Sequence, residues 1–536
     1  MKTEGKIPIV IGVTGHRNLV KEEISGLRDA VREELRRIRE TCPSSPLLLL
    51  SSLAAGADRL CAEVGLEEGF ELSVPLPMPL EEYEKDFQGN DLQQLKTLIN
   101  RAREVFVVNE IEPHQDGRDY RYRQAGIYIA EHCHVLIALW DGEPLEENGC
   151  GTATIVSFKL HHSYQSRNDS SLHPSDRHLI WICVSCEGKI VSENDTKRNC
   201  YKPAVIKYGK ASYTKLLMET NDFNREAESG HSALPESADA ENDAVVYRIN
   251  QVYNIADDLS VKNARIYRWI IFLISLAATL VTFLFLLYDE AELHCMILAC
   301  GILVGCLFLL NSAAKRLRCH KKYIEYRILA EGLRVQNYLF HAGMTAEVWD
   351  IIPWAWQVNT PWIRSAFSAL VIGETKREKH QIINLWIKDQ RAYHEKAYTR
   401  TERKNKTNNC LIAFALGFSI LSYFAALGFE VSVGNLWPKD ALLKIGNPEL
   451  VRTWLKIIMG SLSALTLFAG NYYGKLSLDE TLNDHSRMIS LYEMAEEHIQ
   501  REGETEEFLY KLAREELGEN GRWYAYQSLN KPEISL

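Results

Sequence analysis

An uncharged run of twenty residues, Trp269 to Tyr288, constrains the fold of this chain more than any other feature. As a helix, a run of this length crosses a hydrocarbon core of roughly 30 Å. An acidic turn follows it, and a second apolar run, His294 to Ala313, leads back in the opposite direction. Because two such runs with charged flanks are unusual in a soluble core, the pattern predicts a helical hairpin in a membrane.

Basic residues stand at both open ends of this hairpin. They are Lys262, Arg265 and Arg268 before the first run and Lys315, Arg316, Arg318, Lys321 and Lys322 after the second. Positively charged residues near the ends of spans favour the cytoplasmic side of a membrane. We therefore expect both ends of the hairpin, and with them the N- and C-termini of the chain, to be cytoplasmic.

A second hairpin is predicted downstream, with apolar runs at Leu411 to Phe429 and Ile457 to Tyr473. Basic residues precede it, so its expected orientation matches that of the first. Each hairpin is followed by a helix-like stretch with Ala-Glu at a similar distance, in Tyr323 to Tyr338 and in His485 to Ile499. The repetition indicates an internal duplication, with two hairpins that each carry a long cytoplasmic stalk helix.

Two glycines in the second apolar run, Gly301 and Gly305, have the spacing that lets membrane helices approach closely. They are predicted to pack helices together, either within the hairpin or between copies of the chain. No acidic side chain lies deep in any of the four runs, which disfavours proton-coupled transport. Four short spans make a poor monomeric channel, and we expect a homo-oligomer.

The composition limits the partners of the chain. Its 536 residues carry a formal net charge of -10, so binding to polymeric DNA or RNA through phosphate neutralisation is not expected. Cys183 and Cys186 are closely spaced, but no second pair accompanies them at the spacing of a zinc site. We expect neither a bound metal nor a resident cofactor.

The first 215 residues alternate short apolar runs with helix-like segments. The runs are Ile7 to Val13, Leu47 to Ser52, Leu72 to Pro77, Val105 to Asn109, Val135 to Trp140 and Leu179 to Cys183. Between the first two, apolar positions in Lys21 to Glu40 recur with the period of a helix. This order predicts an α/β Rossmann-like domain, in which a parallel doubly wound sheet binds ligands at the carboxyl ends of its strands.

Polar or glycine-rich loops follow three of these runs. They contain Thr14, Gly15, His16 and Arg17 after the first run, Ala55, Gly56, Asp58 and Arg59 after the second, and Gly149, Gly151 and Thr152 after the fifth. Backbone N–H groups in such loops and at helix N-termini can hold a phosphate group. A glycine turn is also common without any ligand, so the prediction depends on the three loops meeting at one edge of the sheet.

Short motifs in these loops resemble a known superfamily. Ser51 to Asp58 is similar to a segment of the DNA-processing A family, and Asn148 to Ile155 is similar to the signature of the LOG family of phosphoribohydrolases. Gly12 to Leu19 resembles the opening strand and loop of the same group, the SLOG domains. The resemblance covers roughly residues 5 to 215. It implies a Rossmannoid fold that binds a nucleotide-derived signalling ligand, such as an ADP-ribose derivative or a cyclic oligonucleotide.

The sequence departs from the hydrolases of that superfamily at one position. Their catalytic glutamate lies three residues beyond the threonine of the signature, where this chain has Ile155. Isoleucine cannot transfer a proton, so the resemblance favours ligand binding over hydrolysis. We assign no catalytic residue, and the question of enzymatic activity stays open at this point.

Two further segments could complete a nucleotide site. Arg121 and Arg123 could supply an arginine fork to a phosphate group, although a solvated charge run explains them equally well. Tyr83 follows a proline-rich stretch and resembles part of the capping loop of the superfamily. The start of a surface helix is the alternative explanation for Tyr83.

We divide the chain into six parts on this basis. They are a SLOG-like nucleotide-sensing domain at 1–215, a polar linker or mobile loop at 216–244, a first two-helix membrane module with its stalk at 245–345, a tryptophan-rich connector at 346–398, a second module with its stalk at 399–517, and a C-terminal tail at 518–536. The two modules resemble the SLATT arrangement, in which two-helix membrane effector modules accompany SLOG domains.

Together these resemblances imply a membrane effector of antiphage defence in the bacterial inner membrane. A nucleotide-derived second messenger would bind the N-terminal domain, and an oligomer would then permeabilise the lipid bilayer or form a pore. Two alternatives remain, namely a membrane-anchored enzyme that resembles the nucleotide phosphoribohydrolases and a ligand-free membrane scaffold.

Overall fold

A computed structural model gives the fold of the chain. It describes residues 5–108, 117–143, 151–161, 177–184, 203–230, 243–374, 382–433 and 447–531. The chain divides into two compact units, each made of two segments. The first unit comprises Met1–Ala256 and Leu329–His380, and the second comprises Asp257–Ile328 and Gln381–Leu536.

The described part of the first unit is built on a seven-stranded sheet. Its strands are β1 (Ile9–Gly15), β2 (Leu47–Leu50), β3 (Glu71–Leu76), β4 (Glu104–Val107), β5 (Val135–Trp140), β6 (Leu179–Cys183) and β7 (Val205–Tyr208). They lie in the order β4-β3-β2-β1-β5-β6-β7, and neighbouring strands are parallel except for β6 and β7. The prediction of an α/β Rossmann-like domain with a mainly parallel sheet is confirmed.

Helices connect the strands of this sheet. They are α1 (Ile24–Thr41), α2 (Ala57–Glu67), α3 (Leu80–Tyr83), α4 (Gly89–Ile99), α5 (Arg118–His132), α6 (Thr152–His161) and, after β7, α7 (Lys210–Gly230). In α1 the predicted apolar stripe is buried, with Leu27, Val31 and Leu35 fully inaccessible to solvent. Strands that are covered on both faces consist of continuous apolar residues. The strands of this sheet are therefore recognisable in the sequence as apolar runs.

The stretch from residue 216 differs from the expected polar linker, because α7 continues as a helix to Gly230. Asn224 is fully buried on this helix, and its amide pairs with the main chain at the start of the domain. The Ile7 N–H donates to Asn224 Oδ1 at 2.9 Å, and Asn224 Nδ2 donates to the Ile7 carbonyl oxygen at 2.8 Å. The buried amide of Asn224 thus has hydrogen-bond partners for both its oxygen and its nitrogen, and it connects α7 to the main chain before β1. Residues 231–242 of the expected linker lie outside the described residues.

Long helices make up most of the remaining chain. They are α8 (Ala244–Glu290), α9 (Met296–Leu317) and α10 (Cys319–His341), then the short helices α11 (Val348–Ile351), α12 (Trp354–Asn359) and α13 (Pro361–Leu370), and finally α14 (Asp389–Ser432), α15 (Pro448–Gly474), α16 (Leu478–Glu502) and α17 (Glu506–Leu529). The tryptophans of the predicted connector contribute to packing. Trp356 and Trp362 are almost completely buried, and the buried Trp386 donates from Nε1 to Glu516 at 2.7 Å.

In the described part of the chain, four helical segments are long and apolar enough to cross a membrane. They are Ala244–Glu290, Met296–His341, Ile383–Ser432 and Pro448–Glu502. Large apolar side chains face outwards from them, and Leu298, Phe308 and Leu309 are each at least 66% exposed. Such surfaces are costly in water and suited to lipid. The chain therefore has the helices of a multi-pass membrane protein, and the predicted four-helix membrane region is confirmed.

The two hairpins contact each other through α8 and α15 in the second unit. Rings of Phe272 and Phe468 lie 5.9 Å apart between their centroids. A Cβ atom added at Gly460 would lie 2.5 Å from Cδ1 of Leu286, so glycine permits the close approach at this point. Nζ of Lys456 forms an ion pair with Glu290 at 2.8 Å.

Gly301 and Gly305 take no part in this contact. A Cβ atom added at either glycine would meet no atom within 4 Å in the described part of the chain. Packing of the two glycines within their own hairpin is therefore not observed, because their face of α9 turns away from the other described helices. Packing of this face against a second copy of the chain stays a prediction.

Replacing Gly460 by leucine is expected to destabilise the contact between α8 and α15 by about 1–3 kcal/mol, since the added side chain overlaps Leu286. Gly470→Leu on the same helix is the matched control, because an added Cβ there meets nothing within 4 Å among the described residues. Melting temperatures of the full chain in one detergent measure the difference. Equal melting temperatures for the two variants would contradict the close approach.

Candidate functional site

The sheet changes its direction of growth between β1 and β5. From β1 it extends through β2, β3 and β4 on one side, whereas β5 begins the other side. In doubly wound folds this switch point leaves room for a ligand outside the carboxyl ends of the strands. Gly15, His16 and Arg17 stand there at the end of β1, and Asp141 follows β5. We call these four residues the β1–β5 edge.

His16 and Asp141 join the two strands at this edge. Nε2 of His16 lies 3.1 Å from a carboxylate oxygen of Asp141 and 3.2 Å from its backbone nitrogen. A neutral imidazole accepts the backbone N–H, whereas a protonated imidazole donates to the carboxylate. Both side chains are partly exposed, so both can be reached from solvent.

The loop after β1 lies across the start of α2. The Ala57 N–H donates to the carbonyl oxygen of His16 at 3.0 Å. Gly56 has a φ of +79°, and a Cβ atom there would lie 2.1 Å from the carbonyl oxygen of Arg17. A Cβ at Gly15 would lie 2.4 Å from that of Ala57. Glycine is required at both positions, and the loop already occupies the first N–H group of α2.

Asp58 is buried beneath the loop that joins β2 to α2. The Ser51 hydroxyl donates to its carboxylate at 3.3 Å, and the backbone of Ala54 also forms a hydrogen bond with it. Burial raises the pKa of the carboxyl group from 3.8 to about 7, although these hydrogen bonds and the charges of Arg17 and Arg59 oppose the shift. These contacts make Asp58 a residue that holds the loop.

Arg59 is buried as well and braces the same loop against α4. Its Nε donates to the Leu53 carbonyl oxygen at 3.1 Å, and its Nη1 donates to the Asp91 carbonyl oxygen at 2.6 Å. The guanidinium carbon lies 4.5 Å from the ring centroid of Phe87. Burial lowers the pKa of the guanidinium group. Nη2 has no hydrogen-bond partner among the described residues.

Two tyrosine rings stand beside the loop after β1. The guanidinium carbon of Arg17 lies 5.0 Å from the ring centroid of Tyr122 on α5, within the range of a cation–π interaction. The Tyr122 ring lies 6.1 Å from that of Tyr83, whose hydroxyl donates to the Ser52 carbonyl oxygen at 3.0 Å. Tyr83 is buried, whereas Arg17 is exposed. The aromatic pair thus positions an exposed arginine at the β1–β5 edge.

The other arginines of this region have partners of their own. Arg118 and Arg121 form ion pairs with Glu82 at 3.1 and 3.7 Å. The guanidinium carbon of Arg123 lies 5.9 Å from the ring centroid of Tyr120. In this structure Arg121 and Arg123 therefore contact different partners and do not form the fork that the sequence suggested.

The third predicted loop is described only at its end. Gly149 lies outside the described residues, and Gly151 directly precedes α6. Thr152, the first residue of α6, is buried. Because α6 follows β5, its N-terminus stands on the carboxyl side of the sheet, and α6 contacts both β1 and β5. The start of α6 is therefore on the same side of the sheet as the β1–β5 edge.

Ile155 belongs to the apolar core between α5 and α6. It is 3% exposed, and its core neighbours include Ala138 and Phe158. A Cβ atom added at Gly126 of α5 would lie 2.5 Å from Cδ1 of Ile155. The side chain at this position fills space between two helices, and a carboxylate there would lose its solvation.

The structure brings the first two predicted loops together. Thr14 lies in β1 beside Ala138 of β5, and Ala55 lies half-buried in the loop that ends at Gly56. Sequence reasoning missed Asp141. Asp141 follows the apolar run of β5, just as His16 follows that of β1. A polar residue directly after an apolar run is therefore the sequence signal that could have identified Asp141.

In the part of the chain that the structure describes, no group of three histidine, cysteine, aspartate or glutamate side chains could hold a metal ion. Cys183 is partly buried, and Cys186 lies outside the described residues.

Comparison with known families identifies one part of the chain. Residues 251–346 match the sequence model of a family described as a protein of unknown function, DUF4231, and the matched range covers α9, α10 and most of α8. No SLOG or SLATT family model matches. No curated protein matches the chain.

Replacing Asp58 by asparagine is expected to change how stability depends on pH. The folded carboxyl group keeps its proton up to about pH 7, whereas the unfolded one releases it near its ordinary pKa of 3.8. The wild type therefore loses stability as the pH rises between these values. Asparagine has no proton to release, so its free energy of unfolding lacks this pH dependence. Between about pH 5 and about pH 8, the unfolding free energy of the variant should therefore rise relative to that of the wild type by on the order of 3 kcal/mol.

Melting temperatures of both proteins across this pH range measure the effect. Asp29→Asn serves as the control, because the Asp29 side chain on α1 is largely exposed. The melting temperature of this variant should depend on pH in the same way as that of the wild type. Parallel profiles for Asp58→Asn and the wild type would contradict a buried, proton-holding carboxyl group.

Proposed function

We propose that this chain is a membrane effector whose N-terminal domain binds a nucleotide-derived signal at the β1–β5 edge. The observation that carries the proposal is the position of Arg17. An exposed arginine, held on a tyrosine ring, stands at the switch point of a doubly wound sheet. Arginine pairs well with phosphate groups, and the switch point is the usual ligand position in such folds.

The contacts at the edge also indicate where the phosphate would lie. The first N–H of α2 is occupied by the His16 carbonyl oxygen, whereas the N-terminus of α6 stands on the same side of the sheet. The positive end of a helix dipole favours an anion. A phosphate between Arg17 and Thr152 would therefore use a charge and a helix end together, with the Tyr122 ring holding Arg17 in place.

The resemblance to SLOG domains supports a nucleotide-derived second messenger, such as an ADP-ribose derivative or a cyclic oligonucleotide. The resemblance of the two hairpins to SLATT modules supports the second half of the proposal. This second half states that a homo-oligomer permeabilises a bacterial inner membrane in antiphage defence. Both termini of each copy lie in the cytoplasm. A ligand shifts such an assembly from mostly closed to mostly open only if it binds the open state more tightly than the closed state. The required difference in binding free energy totals about 5.5 kcal/mol and can be shared among several sites.

The hydrolase alternative has less support. Ile155 fills the core between α5 and α6, and Asp58 is tied to Ser51 and to the loop beside it. A catalytic acid or base would have to come from elsewhere at the edge. The scaffold alternative leaves the exposed position of Arg17 without a role.

Replacing Arg17 by alanine is expected to weaken ligand binding about tenfold or more, because a charge-assisted contact to phosphate is lost. Thermal shifts of the full chain in detergent, measured with ADP-ribose and with cyclic oligonucleotides, test this. Arg101→Ala is the matched control, since Arg101 is exposed and lies beyond the end of α4, away from the edge. A stabilising ligand that shifts Arg17→Ala and the wild type equally would contradict the site.

Dye release from liposomes tests the effector half of the proposal. A nucleotide that stabilises the wild type is expected to increase leakage from vesicles that contain it, and Arg17→Ala should require about tenfold more of that nucleotide. Chromatography of the nucleotide after incubation separates the alternatives. A released base or ribose phosphate would support the hydrolase, and binding without any change in leakage would contradict the effector.

A further inference from the structure

A cavity of about 410 Å³ opens in the second unit where α8 meets α15. Its lining residues are Arg265, Arg268, Trp269, Phe272 and Tyr472. The first three stand where the apolar run of α8 begins, and Tyr472 stands where the apolar run of α15 ends. The cavity therefore lies between the two hairpins, at the end of the spans that carries the basic flanks.

Among the described residues, the two arginines at this cavity have no acidic partner. Arg265 and Arg268 are both exposed, and Nε of Arg268 donates to the carbonyl oxygen of Ala264 on its own helix at 3.1 Å. In the described part of the chain neither arginine forms an ion pair. Lys404 on α14 adds to the positive charge, and burial, together with the charges of Arg268 and Arg400, lowers its pKa. An anion bound here would relieve the repulsion among these charges.

The opposite end of the same helices is different. Arg452 on α15 forms ion pairs with Glu430 and Glu449, each at 2.6 Å, and Lys456 pairs with Glu290 at 2.8 Å. Basic side chains at the hairpin tips thus have carboxylates from the chain itself. At the cavity the described part of the chain provides cations without carboxylate partners.

The walls of the cavity are aromatic. Rings of Phe272 and Tyr472 lie 5.7 Å apart, and Phe468 stacks on Tyr472 at 5.9 Å. Trp269 is 59% exposed at the first position of the apolar run. Aromatic side chains at this level of a membrane contact both the headgroup region and the upper part of the acyl chains. The site therefore presents positive charge on one side and apolar rings on the other.

We propose that this cavity binds an anionic phospholipid, with its phosphate held by Arg265 and Arg268 and its glycerol and upper acyl chain packed on Phe272, Trp269 and Tyr472. Basic pockets between membrane helices bind anionic headgroups in this way. A soluble phosphate would use the arginines but leave the rings exposed, so the lipid fits the whole lining. The bound lipid would stabilise the contact between the two hairpins, independently of any nucleotide bound to the N-terminal domain.

Native mass spectrometry of the delipidated full chain tests this site. Phosphatidylglycerol is expected to bind at least about tenfold more tightly than phosphatidylcholine, and the double variant R265Q/R268Q should lose most of that preference. R265K/R268K, which keeps both charges, should retain it. The matched control is K315Q/R316Q, which removes two exposed cations from the end of α9 but none from the cavity lining, and it should keep the preference within about twofold.

Three outcomes would overturn the proposal. The first is equal binding of the two lipids by the wild type, which needs no variant to interpret. The second is an equal loss in R265Q/R268Q and K315Q/R316Q, which would indicate attraction by the general surface charge. The third is binding of glycerol phosphate as tightly as of phosphatidylglycerol, which would indicate a site for a soluble phosphate.

Discussion

Hydrocarbon offers no hydrogen bonds to a polypeptide, and this constraint decides the architecture of the second unit. Every backbone N–H and carbonyl group in the spans must be paired inside its own segment, so the apolar runs form helices. The helices then associate through shape, because lipid tails and leucine side chains are equally apolar. In this chain the association depends on local fit, as at Gly460 beside Leu286, and on the ion pair of Lys456 with Glu290.

The first unit follows a different constraint, since its polar groups need partners where they are buried. The β1–β5 edge shows how that requirement limits the site. Gly56 allows the loop after β1 to occupy the start of α2, and buried Asp58 holds the adjoining loop. The groups left exposed, above all Arg17 and His16, are then the ones that can meet a ligand.

Much of this fold could be predicted from the sequence. β5 and β6 begin and end where their apolar runs do, because both faces of these strands are covered. β7 was missed, since its residues alternate between half-buried and exposed and give no continuous run. The part of α7 from residue 216 onwards has a composition rich in charged and small polar residues, which predicts a linker, and nothing local in the sequence shows that Asn224 pairs with Ile7.

The site was harder to predict for a related reason. A motif specifies residue types at nearby positions in the sequence. A site requires residues that are close in space, and these are often far apart in the sequence. Gly301 and Gly305 have the spacing of a glycine packing motif and face open space, while Gly460, which has no glycine four residues away, meets Leu286. Arg121 and Arg123 are near each other in sequence but contact different partners. The link between His16 and Asp141 joins residues 125 positions apart.

The packing of Ile155 against Gly126 also limits what this position can hold. The two helices meet there side chain to glycine, so the space between them is already filled. A glutamate in place of Ile155 would insert a charge into apolar surroundings and would also remove part of the packing. An acid introduced at this position would therefore cost stability before it could contribute any chemistry.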